Sequence, residues 1–342
     1  MKMNAASNEE KIAMFAAAAM SLEVSSYPKP GNVHRLKDFE ETTFEHFLIS
    51  ALSMQSVFLK SASPSGSKTN DFGPLFYEAV LKSQYFQSGG NTHFGSLILL
   101  LPLSMAAGIL FDDKKNTGEI TAKKIIEKAA GICKKTTVGD AVCFYKAFEI
   151  SDVAVQKIRE GRSENKTDDE SSKSSDSTNS KDLDLTNSKA VENILSQKTS
   201  LYDLMESGAQ RDMIAKEWVT GFEKSALFSK KLIENKDFFE KNPKKCYGSF
   251  INSAVVYTFM EFLAEFEDTF IITKFNQKKA SKIRAKASKI IQKDNGQRDL
   301  MQMIPKVRRL DQKMQKEKIN PGSLADITAA GIFLALLDGM TI

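Results

Sequence analysis

Apolar residues recur at helical spacing along most of the chain, and convincing strand-like alternation is absent. Ser7 followed three residues later by Glu10 predicts a capping box at the start of the first helix. Residues 201–235 continue the pattern and predict one amphipathic helix. The first helix carries an apolar stripe made of Ile12, Phe15, Ala16, Ala19 and Leu22. The fold class predicted from this pattern is all-α, a single multi-helix bundle.

Two segments, residues 94–111 and 324–337, are apolar nearly all round. Such helices lie in the cores of larger proteins or cross membranes. The first has about the length of a membrane span, but it contains Ser96, Pro102 and Ser104, and no second segment of that kind follows. We therefore expect buried central helices and no membrane partner.

One polar segment, residues 161–189, is rich in Ser, Asp, Asn and Lys and has almost no apolar residues. Such a composition cannot bury enough surface to offset its chain entropy. We expect a disordered insertion within a single helical domain. The N-terminal part of that domain comprises residues 1–160 and the C-terminal part residues 190–342.

Composition narrows the class of protein. The 342 residues are 42% hydrophobic, and 48 basic against 43 acidic residues give a net charge of only +5, so the overall field gives little reason to expect nucleic acid. The basic excess lies mainly in residues 274–318. Three cysteines without a CxxC pair argue against disulfides and structural zinc, and acidic residues before the first apolar run do not fit a secretory signal. These features favour a cytoplasmic protein.

The first helix ends in the stretch EVSSYPKPGNVHRLKD, residues 23–38. Its prolines and glycine are too closely spaced for a helix interior. Lys29, His34, Arg35 and Asp38 are therefore expected to project from a stiff loop, which suits a phosphorylated ligand. Glu23 extends the apolar stripe of the helix, so it is either a buried acid with a partner or the frayed end of the helix.

A glycine-rich turn precedes the long apolar helix. Asn91 or Thr92 can cap that helix, and its free amides and dipole suit an anion. His93 follows in the first turn. The alternative is that Asn91 only caps the helix and His93 only packs.

The C-terminal part holds two more candidate carboxylates. Asp268 follows an apolar segment and is itself followed by Lys274. Asp326 shares a face with apolar residues of the last helix, which Asn320 is predicted to cap. Near a helix start this carboxylate can be stabilised by the dipole or bind a cation, and the alternative is a structural hydrogen bond.

Three blocks carry a resemblance: EVSSYPKPGNVHR at 23–35, GGNTHFGSLILLLPLSMAAG at 89–108 and NPGSLADITAAGIFLALL at 320–337. In this order they resemble the triphosphoribosyl-dephospho-CoA synthase family. The resemblance implies a transferase that moves the triphosphoribosyl group of ATP, with loss of adenine, to the 2′-hydroxyl of 3′-dephospho-CoA or a related nucleotide acceptor.

The resemblance also implies roles for the candidate residues. Its oxocarbenium-like chemistry suits carboxylates, with Asp38 or Asp268 as the base and Glu23 and His93 beside them. Magnesium is expected on Asp268 or Asp326. The expected contacts of the triphosphate are Lys29, Gly31, Arg35, Asn91, Thr92 and Lys274.

Two further points stay open at this stage. After PKPG the chain reads NVHR, so His34 stands where family members that serve citrate lyase commonly have an acid, which implies that the acceptor differs. The alternative function is a non-catalytic nucleotide- or RNA-binding protein that uses residues 274–318, although Phe275 is the only aromatic residue there. The sequence leaves the oligomeric state open. We expect the candidate side chains to converge on one cleft.

Overall fold

The computed structural model describes residues 6–63, 72–113, 120–151 and 188–342. These residues form α-helices and one 3₁₀ helix (Pro243–Lys245) without a β-strand, which confirms the all-α prediction. In chain order the helices are α1 Asn8–Ser25, α2 Phe44–Ser53, α3 Gln55–Ala62, α4 Phe72–Tyr85, α5 Phe94–Asp112, α6 Ala122–Cys133, α7 Val138–Ile150, α8 Ser188–Gln197, α9 Leu201–Gly208, α10 Met213–Thr220, α11 Glu223–Lys241, α12 Phe250–Glu265, α13 Thr269–Lys274, α14 Gln277–Asp294, α15 Leu300–Lys316 and α16 Gly322–Leu337.

Helices α5 and α16 form the centre of the molecule. Every residue of α5 from 96 to 108 is buried, and α16 is buried from residue 327 to its end. Helix α16 packs against α1, α5 and α11, which come from widely separated parts of the chain. In the described part of the chain α5 alone is long and apolar enough to cross a membrane, but 78% of its apolar window is buried inside the protein. Its composition is therefore accounted for by packing.

A proline inside α5 is compensated by a long-range hydrogen bond. Pro102 has no amide hydrogen, so it cannot donate to the carbonyl of Ile98 four residues earlier. The indole nitrogen of the fully buried Trp218 donates to that carbonyl instead, over 3.0 Å. The core thus satisfies a buried carbonyl that the helix itself leaves without a donor.

The predicted single helix over residues 201–235 is wrong, because the structure divides it into α9, α10 and the start of α11. Gly221 ends α10 in the left-handed conformation, at φ +69°. Glu217 then caps α11 by accepting hydrogen bonds from the amides of Lys224 (3.0 Å) and Ser225 (2.8 Å). The apolar periodicity carries across these breaks, since all three helices face the same core.

The predicted disordered insertion lies outside the described residues, except that residues 188 and 189 begin α8. The prediction of one domain built from residues 1–160 and 190–342 stays a prediction. The packing of α16 against α1 and α5 supports it, because both parts of the chain contribute to one core.

Candidate active site

Glu23 lies in the last turn of α1 and is buried. The fully buried Lys29, from the loop that follows, donates from Nζ to Oε1 of Glu23. Burial raises the pKa of Glu23, and the charge and hydrogen bond of Lys29 act against this rise. Glu23 is therefore a buried acid with a partner, not a frayed helix end. Because a lone buried charge is costly, each residue of the pair depends on the other.

The loop after Lys29 is fixed to α15 by Asp311. Its Oδ1 accepts a hydrogen bond from the Gly31 amide (3.0 Å), and Oδ2 lies 3.1 Å from Nε2 of His34. Gly31 has φ +83°, and a Cβ there would collide with the carbonyl oxygen of Ile319. The group that closely approaches Gly31 is thus the Ile319 carbonyl of the protein itself. Its predicted contact with a ligand stays a prediction.

The start of α5 brings two predicted residues into a defined arrangement. Oδ1 of Asn91 accepts a hydrogen bond from the Phe94 amide over 3.0 Å, as expected for a capping residue. The hydroxyl groups of Thr92 and Ser50 are 2.6 Å apart and tie the turn to α2. Both predicted residues are half-buried at the positive end of the α5 dipole.

His93 is buried beside this turn, with Nε2 3.0 Å from the carbonyl oxygen of Phe47. Burial lowers the pKa of His93 to about 4; the hydrogen bond to Phe47 opposes the shift, and the positive charge of Lys29 adds to it. The imidazole is therefore neutral near pH 7. Since a carbonyl can only accept, Nε2 carries the proton and Nδ1 is an acceptor.

Asp326 reaches from the first turns of α16 to the start of α5. Its Oδ1 accepts a hydrogen bond from the Ser96 hydroxyl (2.5 Å), and its carboxylate lies directly on Gly95, where a Cβ would be 2.7 Å from Cγ of Asp326. The half-buried carboxylate therefore needs a glycine at position 95. The predicted Asn320 cap is wrong, because α16 begins after Pro321 and has no side-chain cap.

Asp268 caps α13 and is buried. Its Oδ1 accepts from the Ile271 amide (3.0 Å) and its Oδ2 from the Leu324 amide at the start of α16 (2.8 Å). Burial raises the pKa of Asp268 to about 7, although these backbone hydrogen bonds lower it, and the negative charge of Asp212 contributes to the rise. One carboxylate thus joins the starts of two helices.

Four carboxyl groups converge here, and we call Glu23, Asp212, Asp268 and Asp326 the carboxylate cluster. Burial raises the pKa of Asp326 to about 8, and the negative charges of the other three add to the rise. Asp212 caps α10 through the Ala215 amide (2.7 Å). Its side chain is solvent-accessible, and desolvation by the surrounding protein raises its pKa.

Three predicted residues lie on the surface. Arg35 donates from Nε to the Ser25 carbonyl at the end of α1. The carboxylate of Asp38 accepts from the Phe44 amide over 2.8 Å and so caps α2. Lys274 is exposed in the last turn of α13. The contacts of Asp38 give it a structural role, and they do not join it to the carboxylate cluster.

Neither Asp212 nor Asp311 was selected as a site residue by the sequence analysis. Asp212 directly precedes an apolar helix, so its capping position was a usable signal. Asp311 lies within the basic α15, where nothing in the sequence marks it as the acid that binds the loop at Gly31 and His34.

Comparison with known proteins identifies a family. The family model described as ATP:dephospho-CoA triphosphoribosyl transferase matches residues 9–341. A crystal structure from Archaeoglobus fulgidus, provisionally described as a triphosphoribosyl-dephospho-CoA synthase, is similar to this chain with a TM-score of 0.58 and 25% sequence identity, over 85% of this chain and 99% of that one. No curated protein matches significantly.

Proposed function

The chain belongs to the ATP:dephospho-CoA triphosphoribosyl transferase family, and on this premise we propose that the carboxylate cluster is its active centre. The family transfers the triphosphoribosyl group of ATP to dephospho-CoA. The observation that carries the proposal is the convergence of four carboxyl groups with one buried lysine, at the end of α1 and the starts of α5, α10, α13 and α16.

The reaction breaks the bond from the ribose anomeric carbon of ATP to adenine and forms one from that carbon to the 2′-oxygen of the acceptor. Adenine leaves with the bonding electrons and takes up a proton, while the attacking hydroxyl gives one up. Positive charge develops on the sugar between these events, and ionised carboxylates stabilise it. In this scheme Glu23 and Asp268 supply negative charge beside the sugar.

Asp326 is the best candidate for the base. Both oxygens of Asp268 already accept backbone amides, whereas Oδ2 of Asp326 has no hydrogen-bond partner among the described residues. Asp326 is also half-buried, and its pKa of about 8 suits proton transfer near neutral pH. This choice replaces the earlier alternatives, Asp38 and Asp268.

We assign the triphosphate to the start of α5, where Asn91 and Thr92 mark the positive end of the dipole. Magnesium would neutralise phosphate oxygens there. No three His, Cys, Asp or Glu side chains in the described ranges are placed to hold one ion. The arrangement fits a magnesium ion that binds mainly phosphate and water, with Asp326 or Asp268 as its protein ligand.

We propose that Lys29 and His93 do not bind the triphosphate but have other roles in the site. Because Nζ of Lys29 is paired with Glu23, we propose that this lysine keeps Glu23 ionised within a crowded negative site. The unprotonated Nδ1 of His93 can accept a hydrogen bond from a substrate hydroxyl or amino group. Arg35 and Lys274 remain proposed phosphate contacts at the surface.

The test incubates the protein with ATP, magnesium and dephospho-CoA and measures adenine by chromatography. We expect adenine release that depends on dephospho-CoA, and a loss of about 10²–10⁴-fold in Asp326→Asn, as for a lost general base. Asp38→Asn is the matched control, and it should retain near wild-type turnover because Asp38 only caps α2. Full activity in Asp326→Asn would exclude the assigned base, and adenine release without acceptor would exclude transfer.

The RNA-binding alternative is not favoured, since the family is one of transferases. We propose a cytoplasmic location, supported by Cys133 and Cys246, which are free thiols in the structure.

A further inference from the structure

Arg308 of α15 is a fixed cation beside two tyrosines. Its guanidinium carbon lies 5.4 Å from the Tyr27 ring centroid and 5.1 Å from that of Tyr247, and Nη2 donates to the Tyr247 hydroxyl. The two centroids are 6.1 Å apart, so both rings support the guanidinium from one side. These contacts fix its orientation.

This cation has no acid partner. Arg308 is half-buried and forms no ion pair with any residue that the structure describes. Its Nε is buried without an acceptor. A partly desolvated guanidinium with an unused donor is unfavourable by itself, and it is the form in which proteins bind phosphate.

The support for Arg308 is itself anchored by one side chain. Oδ1 of Asn252 accepts from the Tyr27 amide (2.9 Å), and its Nδ2 donates to the carbonyl groups of Tyr27 (2.8 Å) and Tyr247 (2.9 Å). Asn252 is buried at the start of α12. Both tyrosines are therefore set by the same rigid element, and the arrangement does not depend on loop mobility.

One of the two rings that support the arginine belongs to the same loop as Lys29. Tyr27 is two residues from Lys29, the partner of Glu23, so the two Cα atoms are at most about 7.6 Å apart. Arg35 contacts the carbonyl of Ser25 at the same end of α1 and adds a second positive charge.

We propose that Arg308 binds the diphosphate of the acceptor nucleotide. The inference rests on the proposed function, in which two phosphate-bearing substrates react and each needs its own anion site. The start of α5 suits the triphosphate of ATP. The attacking hydroxyl belongs to the ribose that carries the acceptor diphosphate, so that diphosphate must lie within one nucleotide of the carboxylate cluster. Tyr27, which contacts Arg308, belongs to the loop that carries Lys29, the partner of Glu23.

The test measures binding of dephospho-CoA, adenosine and ATP to the full chain by calorimetry. In Arg308→Gln we expect dephospho-CoA binding to weaken about tenfold or more, on the scale of a lost charged hydrogen bond, with ATP and adenosine binding unchanged. Arg309→Gln is the matched control, because it removes the same charge from the next, exposed position and should change each affinity less than about twofold. Arg308→Lys, which retains the charge but not the fork of donors, should lie between wild type and Arg308→Gln.

An unchanged affinity of folded Arg308→Gln for dephospho-CoA would overturn the proposal, as would an equal loss for ATP. An equal loss of adenosine affinity would show that Arg308 contacts the adenosine part of the acceptor, and it would overturn the diphosphate assignment. If Arg308→Gln does not fold, Arg308→Lys decides by the same criteria. Because binding is measured without turnover, these outcomes are separate from the adenine-release test of the reaction.

Discussion

Replacing Gly95 with alanine should displace the carboxylate of Asp326, the proposed base, while residue 326 itself stays unchanged. An added Cβ would lie 2.7 Å from Cγ of Asp326, so the carboxylate has to turn away from the start of α5. It then loses the Ser96 hydrogen bond, now 2.5 Å long. The backbone can accept the change, since Gly95 lies in the first turn of α5 and its φ is not in the left-handed region.

The magnitudes separate an effect on stability from an effect on catalysis. Losing a hydrogen bond to a carboxylate costs about 1.5–3 kcal/mol, and Gly→Ala in a helix returns about 0.5–1 kcal/mol. The net loss of about 0.5–2.5 kcal/mol lowers Tm by only a few degrees. Displacing a general base lowers kcat by about 10²–10⁴-fold, or roughly 3–5 kcal/mol. Activity should therefore fall much further than stability.

The assay compares Gly95→Ala with Gly131→Ala, a second helical glycine where an added Cβ meets nothing within 4 Å. Adenine release and thermal unfolding are measured for both. Gly131→Ala should keep wild-type kcat and gain slightly in Tm. The reasoning fails if Gly95→Ala turns over at the wild-type rate, or if its kcat loss disappears at temperatures well below its Tm.

Three further predictions address pH, the core and the metal. Asp268 has an ordinary pKa of 3.8 and a folded pKa of about 7, so the unfolded chain releases this proton first as pH rises. The free energy of unfolding therefore falls as pH rises between those values. Urea melts at about pH 4 and about pH 8 should show a smaller fall in the free energy of unfolding for Asp268→Asn than for the wild type. Trp218→Phe removes the donor to the Ile98 carbonyl, and Pro102→Ala supplies a new one, so the tryptophan substitution should cost about 1–2 kcal/mol less in the Pro102→Ala background, and an equal cost in both would contradict this account. Chelation with EDTA should stop adenine release and added magnesium should restore it; activity in EDTA would remove the metal from the proposal.

Local features of the fold were predictable from the sequence because they depend on near neighbours. The capping box at Ser7 is present as expected, since it needs only residues within one turn. The burial of α5 also followed from its composition. By contrast, the helix breaks around Gly221 were missed by the sequence analysis, because an apolar face shared by consecutive short helices gives no sign of where each one ends.

The candidate site was predictable only in part. Glu23, His93, Asp268 and Asp326 were found because a polar residue on an apolar face or at a helix start is unusual. Asp38 has the same local signature, but its side chain is exposed and caps α2. The difference lies in contacts such as Asp268 with the Leu324 amide, which join residues 56 positions apart. No local pattern records such contacts.

The neighbours of His34 show what the departure from the family pattern at this position changes in the structure. His34 is buried, lies 3.1 Å from Asp311 and packs edge-on against the Tyr27 ring at 4.8 Å. It therefore supports the tyrosine that orients Arg308, on the side proposed for the acceptor, and its contacts do not include the carboxylate cluster. A change at this position alters how Tyr27 is held, while the start of α5 and the base remain as they are.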